Sequence, residues 1–524
     1  MKSYSNHLAS RLEYGETVDL SRKPILRSSG IFPVIKNKNF SSRILFMGYW
    51  LLKRNIPEVG IIITLRANNG NILLRKIKTI TSTQAFSVEL NSLLSEIHLI
   101  SDDFLGSLEI EFNTTRDMVF PYPALVLQFF GEDFSSCVHT IERIYNDFED
   151  MVENEQSKVP ETGFDIHSTD DLTSFAAFVN GPLKNHDGII DYIVTNSKSE
   201  KLRGTFHLGP INPYESKLIK LGEYIPELKN FLENNSGSIS LNHNFEGFYP
   251  RLLVGNMQHS FPSVSFTHSY YDCTSCNSES DFWSRTNENF YDSSVYVPLF
   301  LSNDFFTELI IYPNFSPSDF YLDIVLYDAA GKELHKLKDF ILIKNKDSKL
   351  LKINFNKIIN ELNFDKNTIS SANIITKFVG SKIPSRIKFG LNVGIKNSKS
   401  KLPCNICFNT KVGNPNIDSK PGSFHWSPIF VQNSLIALSN SSPKKNYSKD
   451  ANIELTFFRK EDSKTLSRNL VLTPFSEFRL KLDDELKNFL KEEGWVTIKS
   501  DNPYIQGYYF IFYPSGSVAG DHFF

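Results

Sequence analysis

The chain contains 524 residues, of which 40% are hydrophobic and 22% are charged, and these values are typical of a globular protein that buries a core. The composition excludes a disordered chain, a collagen-like fibre and a long coiled coil, and at roughly 100–200 residues per domain the length indicates about three to five domains. Because the net charge is -3, we expect no nucleic-acid partner that would need a large basic surface.

The N-terminal part of the chain predicts neither export nor membrane insertion. Residues 1–30 are polar and lack the apolar core of a secretory signal. The most apolar stretch, residues 44–65, is interrupted by charged side chains and by Pro57, whereas a transmembrane helix needs about 20 mostly apolar residues. We therefore interpret 44–65 as a pair of buried strands and expect no membrane span. A soluble, cytoplasmic protein is predicted.

The cysteine pattern favours reduced thiols over a disulfide framework. The five cysteines are Cys137, Cys273, Cys276, Cys404 and Cys407. Four of them form two C-x-x-C pairs, but these lie 128 residues apart (276 to 404), whereas the pairs of a zinc ribbon are typically about 15–20 residues apart. The second pair also has a strand-like context, in which positions i and i+3 face opposite sides of a sheet. We expect isolated thiols, no shared metal site and no cofactor.

An internal repeat is the most informative feature of the sequence. Each copy contains an apolar strand, a polar turn, an alternating strand, a short helical spacer and a small residue that opens another strand. The pieces are 61–65, 69–70, 86–90 and 106–110; then 191–194, 197–200, 217–221 and 237–241; then 322–327, 330–331, 351–355 and 371–374; and finally 453–457, 460–463, 478–482 and 494–498. The small residues Gly106, Gly237, Ser371 and Gly494 follow one another at intervals of 131, 134 and 123 residues.

This repeat predicts an all-β fold. Strands of about five residues that alternate between apolar and polar side chains are typical of antiparallel sheets with one buried face. The 44 Phe and 21 Tyr residues fit the same class. Two such sheets packed face to face need about 100–130 residues, the size of an immunoglobulin-like sandwich. We predict four tandem antiparallel β-sandwich units of this immunoglobulin-like kind with short helical spacers, at 30–147, 174–275, 290–410 and 423–524.

Enzyme signatures are scarce. The sequence has no G-x-S-x-G elbow, no phosphate-binding loop, no H-E-x-x-H motif and no G-x-G-x-x-G after a strand. Adjacent carboxylates such as Asp483 and Asp484 do not supply the spaced pair that a glycosidase needs, and these two are better explained as residues that favour a helix N-terminus. The absence of motifs lowers the expectation of catalysis without excluding it.

Three histidines recur at similar places in the repeat. His139, His268 and His522 lie 33, 31 and 28 residues after the small residue of their copies, whereas the third copy has Asn409 in this region. Such histidines could coordinate a metal or act as general bases. They could also hydrogen-bond a backbone carbonyl and hold the last strand in place. Because one active site does not need the same residue in several domains, the structural interpretation is the simpler one.

Two aromatic clusters are the predicted binding surfaces. Their members are His268, Tyr270, Tyr271, Asp272 and Trp283 in the first, and His425, Trp426, Asp521 and His522 in the second. Aromatic rings beside carboxylate and imidazole groups suit sugar recognition, and the same residue types are anchors of protein interfaces. Packing of one domain against the next is the alternative for both tryptophans.

These patterns predict a non-catalytic multidomain binding or scaffold protein whose partner is a glycan or a protein, with no tightly bound metal. One alternative is a carbohydrate-active enzyme with a site at a domain junction, built from His268, Asp272, His425, Asp521 and His522. A second alternative is a structural protein of an assembly, which would show exposed edge strands or a large apolar face.

Overall fold

The structure is a computed structural model in which β-strands predominate. It describes residues 24–99, 101–119, 123–139, 161–245, 252–268, 270–271, 282–284, 287–302, 304–312, 318–344, 349–384, 387–431 and 433–524. The content is 55% strand and 9% helix. The chain divides into two compact units, Met1–Tyr271 with Lys460–Ser463 and Asp272–Arg459 with Lys464–Phe524.

One arrangement of eight strands occurs four times along the described chain, and each occurrence is called a copy. Strand positions A to H number the strands of a copy in chain order. In every copy one sheet has the order A-F-C-D and the other the order E-B-G-H, and all pairs are antiparallel. Copies 1 and 2 lie in the first unit and copies 3 and 4 in the second.

The first copy contains two four-stranded sheets, β1-β6-β3-β4 and β5-β2-β7-β8. Its elements are β1 (Arg27–Lys36), β2 (Phe40–Phe46), α1 (Tyr49–Lys53), β3 (Val59–Ala67), β4 (Ile72–Ile80), β5 (Phe86–Glu89), α2 (Leu90–Glu96), β6 (Phe104–Asn113), β7 (Val126–Gly131) and β8 (Ser135–His139).

The second copy has a ninth strand that pairs with the edge strand at position A, so its sheets are β12-β11-β14-β9-β17 and β13-β10-β15-β16. The elements are β9 (Glu161–His167), β10 (Leu172–Val179), β11 (Asn185–Thr195), β12 (Lys201–Ile211), β13 (Ser216–Lys220), α3 (Leu221–Tyr224), α4 (Leu228–Leu232), β14 (Ser236–His243), β15 (Leu253–Gln258), β16 (Ser263–His268) and β17 (Tyr270–Tyr271). Strand β9 lies before residue 174, at which the sequence predicts that the second β-sandwich domain begins.

The third copy also has an added edge strand, and its sheets are β22-β21-β24-β19-β28 and β23-β20-β26-β27. The elements are β18 (Phe282–Ser284), β19 (Ser293–Pro298), β20 (Phe305–Ile311), β21 (Phe320–Tyr327), β22 (Glu333–Ile343), β23 (Leu351–Asn354), α5 (Phe355–Glu361), β24 (Ser371–Phe378), β25 (Lys382–Pro384), β26 (Lys388–Ile395), β27 (Cys404–Asn409) and β28 (Lys411–Val412). Strands β18 and β25 form a separate two-stranded sheet.

The fourth copy has the sheets β29-β34-β31-β32 and β33-β30-β35-β36. Its elements are α6 (Pro415–Asp418), β29 (Ser423–Phe430), β30 (Ser434–Asn440), β31 (Ala451–Phe458), β32 (Thr465–Leu472), β33 (Glu477–Lys481), α7 (Asp484–Leu490), β34 (Glu493–Ser500), β35 (Ile505–Phe512) and β36 (Val518–His522).

Alternation along the strands builds the core between the two sheets of a copy. In β31, Ile453, Leu455 and Phe457 are buried, while Asn452 and Glu454, at alternate positions, are exposed. Because successive side chains of a strand point to opposite faces, this pattern turns one face of the sheet inward. In the second copy, buried side chains from both sheets share one apolar cluster, to which Phe178, Ile190, Ile239 and Val254 belong.

The repeat seen in the sequence corresponds to strand C, the C–D turn, strand E, the helix and strand F of each copy. The all-β class, the repeated sheets and the short helical spacers are therefore confirmed. Helix α7 also begins as predicted, since the Asp483 side chain accepts a hydrogen bond from Leu486 N at 3.0 Å and thereby caps the helix. Immunoglobulin-like connectivity is not confirmed, because strand A pairs with strand F in every copy, whereas the immunoglobulin order pairs A with B.

Copies 1 and 2 dock through the C–D turn of copy 1. Gly70 in this turn has φ +87°, and a Cβ atom built on it would lie 2.2 Å from the carbonyl oxygen of Pro213 in copy 2. Ser216 N donates a hydrogen bond to Asn68 O at 2.8 Å. Tyr214, between the two contacts, has φ 58°. Only glycine allows this close approach of the two backbones.

Copies 3 and 4 dock in the same way. Gly331 has φ +86°, and its Cβ would lie 2.3 Å from Pro474 O. Glu477 N donates to Ala329 O at 3.0 Å, and Phe475 has φ 61°. The corresponding turns of copies 2 and 4, at 197–200 and 460–463, contain no glycine. Each unit is therefore a pair of copies joined by one recurring contact.

Among the described residues, no helix is long and apolar enough to cross a membrane.

Candidate functional site

The recurring histidines all occupy the same place in their copies, the last residue of strand H. His139 ends β8, His268 ends β16 and His522 ends β36, while Asn409 takes this place in β27. His139, His268 and Asn409 pair with the first residue of strand G, namely Val126, Leu253 and Lys388, and His522 pairs with Tyr508, the fourth residue of β35. The periodicity therefore reflects the repeated fold.

The histidines of the fourth copy bond to backbone carbonyls. His522 Nδ1 donates to Phe523 O at 2.7 Å, and His425 Nδ1 donates to Phe524 O at 2.9 Å. The buried Asp521 carboxylate accepts a hydrogen bond from His522 N at 2.8 Å. These contacts agree with the structural interpretation, since each one ties a side chain to the backbone around strand H.

Trp426 packs inside the fourth copy and does not present an open ring. Only 8% of its surface is exposed, and its ring is parallel to that of Phe524, with 6.0 Å between centroids and 2° between planes. Phe524 also contacts the buried Trp495, with centroids 6.1 Å apart, and its N–H donates to Trp426 O at 3.2 Å. A sugar-stacking ring needs a free face, so the packing alternative is the one that this geometry favours for Trp426.

Much of the first predicted cluster lies outside the described residues. This applies to Asp272 and to the side chains of Tyr270, Tyr271 and Trp283. The backbone of Tyr270 and Tyr271 forms β17, and Trp283 pairs with Ile383 in the two-stranded sheet. The structure thus brings together His425, Trp426, Asp521 and His522 in one copy.

The described part of the chain contains only one of the two C-x-x-C pairs. Cys404 and Cys407 lie in β27, as the strand-like context predicts, and both are buried and not in a disulfide. Cys273 and Cys276 lie outside the described residues.

A buried ionic cluster occupies the contact between copies 1 and 2. Glu109 is 2% exposed, and its carboxylate lies 2.8 Å from the Arg66 guanidinium. Burial raises the pKa of Glu109, while the charge of Arg66 opposes that shift. The Arg66 guanidinium also lies 4.3 Å from the centroid of the Tyr214 ring, a cation–π contact with copy 2. Arg27 binds the neighbouring Glu111 at 2.7 Å.

Copies 3 and 4 use apolar contacts at the equivalent positions. Strand alignment matches Arg66 with Tyr327 and Tyr214 with Phe475. The two rings are stacked, with 4.9 Å between centroids and 6° between planes. The same docking geometry is therefore held by charge in one unit and by aromatic packing in the other.

Lys411 is a second contact between copies 3 and 4. Its Nζ donates to Ile505 O at 2.9 Å and to Pro503 O at 3.4 Å. Burial lowers the pKa of Lys411 to about 7, and the nearby charge of Lys420 acts in the same direction. The folded protein therefore favours the neutral amine more than the unfolded chain does.

We expect the free energy of unfolding of the second unit to rise between pH 7 and pH 9.5. In this range the unfolded lysine remains protonated while the folded one loses its proton, and stability rises with pH wherever the unfolded state binds more protons. The expected gain is on the order of 1–3 kcal/mol relative to a Lys411→Met variant. Urea titrations of both proteins across this range measure it. If the stability of the two proteins changed with pH in the same way, the lowered pKa of Lys411 would be contradicted.

A groove on the fourth copy was not found by sequence analysis. It lies on the outward face of the sheet β29-β34-β31-β32 and has a volume of about 670 Å³. Six of its exposed lining residues come from three adjacent strands and their ends, and Pro421, before β29, is the seventh: Asn452, Glu454, Asn469, Val471, Lys499 and Asp501 are the six. Glu454 lies between Asn469 and Lys499, with which it pairs across the sheet. The alternation of these strands was visible in the sequence, but their order in the sheet was not.

The groove has an ordered polar end. Asp501 accepts hydrogen bonds from Asn452 N at 2.9 Å and from Asn452 Nδ2 at 2.6 Å. The side-chain bond from Asn452 lowers the pKa of Asp501, which keeps this carboxylate ionised at neutral pH. Val471 beside it is 60% exposed and supplies an apolar patch. The groove therefore combines fixed hydrogen-bond acceptors, amides, one cation and an apolar surface.

No protein-family model matches the chain, and no curated protein matches it in sequence.

Proposed function

We propose that the protein is a non-catalytic, multidomain binding protein and that the groove of the fourth copy binds a neutral glycan. The observation that supports this proposal is the row formed by Lys499, Glu454 and Asn469 across three strands, beside the fixed Asp501 carboxylate. Amide, carboxylate and ammonium groups arranged on a rigid sheet can bond several sugar hydroxyl groups at once.

The size and charge of the groove favour a glycan over a protein. About 670 Å³ is within the range of roughly 300–1,000 Å³ that suits a small ligand. Protein interfaces have an apolar core rich in aromatic residues. The described residues that line this groove include no aromatic side chain, and its apolar members are Pro421, Ile453, Leu470 and Val471. Glu454 and Asp501 outnumber Lys499, which disfavours an acidic sugar.

Binding is favoured over hydrolysis by the state of the Asp501 carboxylate. A glycosidase needs one carboxyl group whose pKa is raised so that it can donate a proton. The pKa of Asp501 is shifted in the opposite direction. The groove also lies on an open sheet face, where Glu454, Lys499 and Asp501 are exposed to water.

The four copies serve as the scaffold in this proposal. Each is proposed to be a β-sandwich domain of immunoglobulin-like size, near the boundaries 30–147, 174–275, 290–410 and 423–524. The shared apolar clusters and the recurring glycine contact support rigid pairs of domains. The absence of a disulfide at the described cysteines, which are buried, supports a reducing compartment such as the cytoplasm.

Calorimetric titration of the full chain with neutral tetrasaccharides of glucose, mannose, galactose and N-acetylglucosamine tests the proposal. We expect one of them to bind, and we expect Asn469→Ala and Glu454→Gln each to weaken it about 10- to 100-fold, since a hydrogen bond to a charged group contributes about 1.5–3 kcal/mol. Lys499→Met is expected to act in the same direction.

The second copy offers a matched control. Thr205 lies at the position equivalent to Asn469, on the outward face of the other unit, where it bonds Asp191 at 2.6 Å. Thr205→Ala is expected to leave binding unchanged. If no tetrasaccharide binds, or if Thr205→Ala weakens binding as much as Asn469→Ala does, the groove is not the glycan site.

A further inference from the structure

His139 and His268 meet within the first unit although they are 129 residues apart in sequence. The two Nε2 atoms are 3.2 Å apart, and the ring planes are at 89° with centroids 4.5 Å apart. Each histidine ends strand H of its copy, so both rings are held by paired strands. His268 is 1% exposed. The contact therefore joins copies 1 and 2 at a largely buried point.

The separation of the nitrogens is informative. Two imidazoles that bind one tetrahedral Zn²⁺ at 2.0–2.1 Å place their nitrogens about 3.3–3.4 Å apart. Octahedral coordination with similar bond lengths places adjacent nitrogens about 3 Å apart. The observed distance lies between these values and at the long end of the range for a hydrogen bond from N–H. The distance between the two Nε2 atoms is therefore compatible with both nitrogens binding one ion.

The surroundings of the pair are ordered. Phe129 of copy 1 and Phe266 of copy 2 pack together with centroids 4.5 Å apart, and Phe266 N donates to Ser136 Oγ at 3.2 Å. These contacts involve the same two edge strands, β8 and β16, and the neighbouring β7. Ligands held on packed strands lose little freedom when an ion binds, and a rigid first shell favours metal affinity.

We propose that His139 and His268 form a binding site for a divalent transition-metal ion of the Zn²⁺ class, which joins copies 1 and 2. The two imidazoles fill two coordination positions, and the others take water or further donors. The ion would strengthen the contact between the copies, because it binds only when the two strand ends are brought together. This site is separate from the groove of the fourth copy and does not depend on the glycan proposal.

Metal titration of the untagged full chain tests this site. After EDTA treatment and dialysis, Zn²⁺ binding is measured by calorimetry, metal content by mass spectrometry, and coordination by the visible spectrum with Co²⁺. We expect one tight ion per chain at this site, a rise in the melting temperature of the first unit with Zn²⁺, and a Co²⁺ spectrum that depends on both histidines.

The third copy supplies the conservative variant. Asn409 occupies the equivalent strand position, so His139→Asn and His268→Asn introduce a residue that this fold already accepts there. Each is expected to weaken Zn²⁺ binding at least about 100-fold, since even outer-shell changes at metal sites cost about 10–100-fold. His259→Asn, at an exposed histidine that bonds Thr173 Oγ1 at 2.7 Å, is the control and is expected to bind as the parent does.

Two results would overturn the proposal. One is that the parent binds Zn²⁺ no more tightly than the two strand-end variants, in which case the histidines are joined by a hydrogen bond alone. The other is that His259→Asn loses the ion equally, which would place the binding at surface histidines. Circular dichroism of each variant shows whether it has folded.

Discussion

Replacing Arg66 with methionine is expected to destabilise the first unit by up to about 3–5 kcal/mol, the cost of breaking a buried ion pair by removing one partner. Glu109 is 2% exposed and lies 2.8 Å from Arg66, so its carboxylate would lose its closest cation without gaining water and would keep only the Arg27 guanidinium, 3.7 Å away. The loss of the guanidinium also removes the contact with the Tyr214 ring. Urea unfolding of parent and variant at neutral pH measures the difference.

The pH dependence of this variant identifies the cause. The pKa of Glu109 is already raised in the folded protein, and removal of Arg66 raises it further. As pH rises above about 4.5, the unfolded carboxyl loses its proton before the folded one, so the stability of the variant falls. Arg66→Met should therefore be less impaired at pH 5 than at pH 8.

Arg75→Met is the matched control for this prediction. Arg75 bonds Glu111 at 3.1 Å, but its side chain is 50% exposed, and Glu111 retains Arg27. Exposed ion pairs contribute about 0–1 kcal/mol, so the effect should be small at every pH. Equal stability of the Arg66 and Arg75 variants would show that the buried pair does not hold the contact between copies 1 and 2.

Substitution of alanine for Gly70, or for Gly331 in the second unit, is expected to destabilise the contact between copies by about 2–5 kcal/mol. A left-handed backbone costs a residue with a Cβ atom about 1–2 kcal/mol, and overpacking adds about 1–3 kcal/mol. The clash would be with backbone, since the new Cβ would lie 2.2 Å from Pro213 O or 2.3 Å from Pro474 O. Hydrogen exchange at the Ser216 or Glu477 amide, which bonds across the contact, reports the loss.

Gly209→Ala separates the steric effect from the conformational one. Gly209 has φ +69°, but a Cβ atom there would have no neighbour within 4 Å. The Gly209→Ala variant should therefore lose only about 1–2 kcal/mol of folding free energy, the cost of a left-handed backbone. Hydrogen exchange at the Ser216 amide should not change. If all three alanine variants behave alike, the close approach at the C–D turn does not contribute to docking.

The β class, the repeat and the start of α7 were predictable because they depend on short segments. Alternation in segments such as 453–457 shows which side chains enter a core, and Asp483 can cap the helix that follows it. The regular spacing of His139, His268 and His522 was visible in the sequence, because each of them ends strand H of its copy.

Other features depend on which strands become neighbours. Asn469 and Lys499 are 30 residues apart, and the groove exists because both of their strands flank β31. The sequence marked Trp426 as a candidate surface residue, but the ring of Phe524, 98 positions later, covers it. Composition and spacing contain no information about such pairings.

The sequence by itself determined that this protein consists of four related all-β copies with helical spacers, because local periodicity sets strand and helix and a duplicated pattern sets a duplicated fold. Only the tertiary structure decided what covers the outward face of each sheet. In copy 1 that face carries Arg66 and Glu109, which copy 2 covers. In copy 4 it carries Asn469 and Lys499, which are exposed. Alternation distinguishes the two faces of a strand, but whether the outward one meets protein or water depends on contacts between residues far apart in the chain.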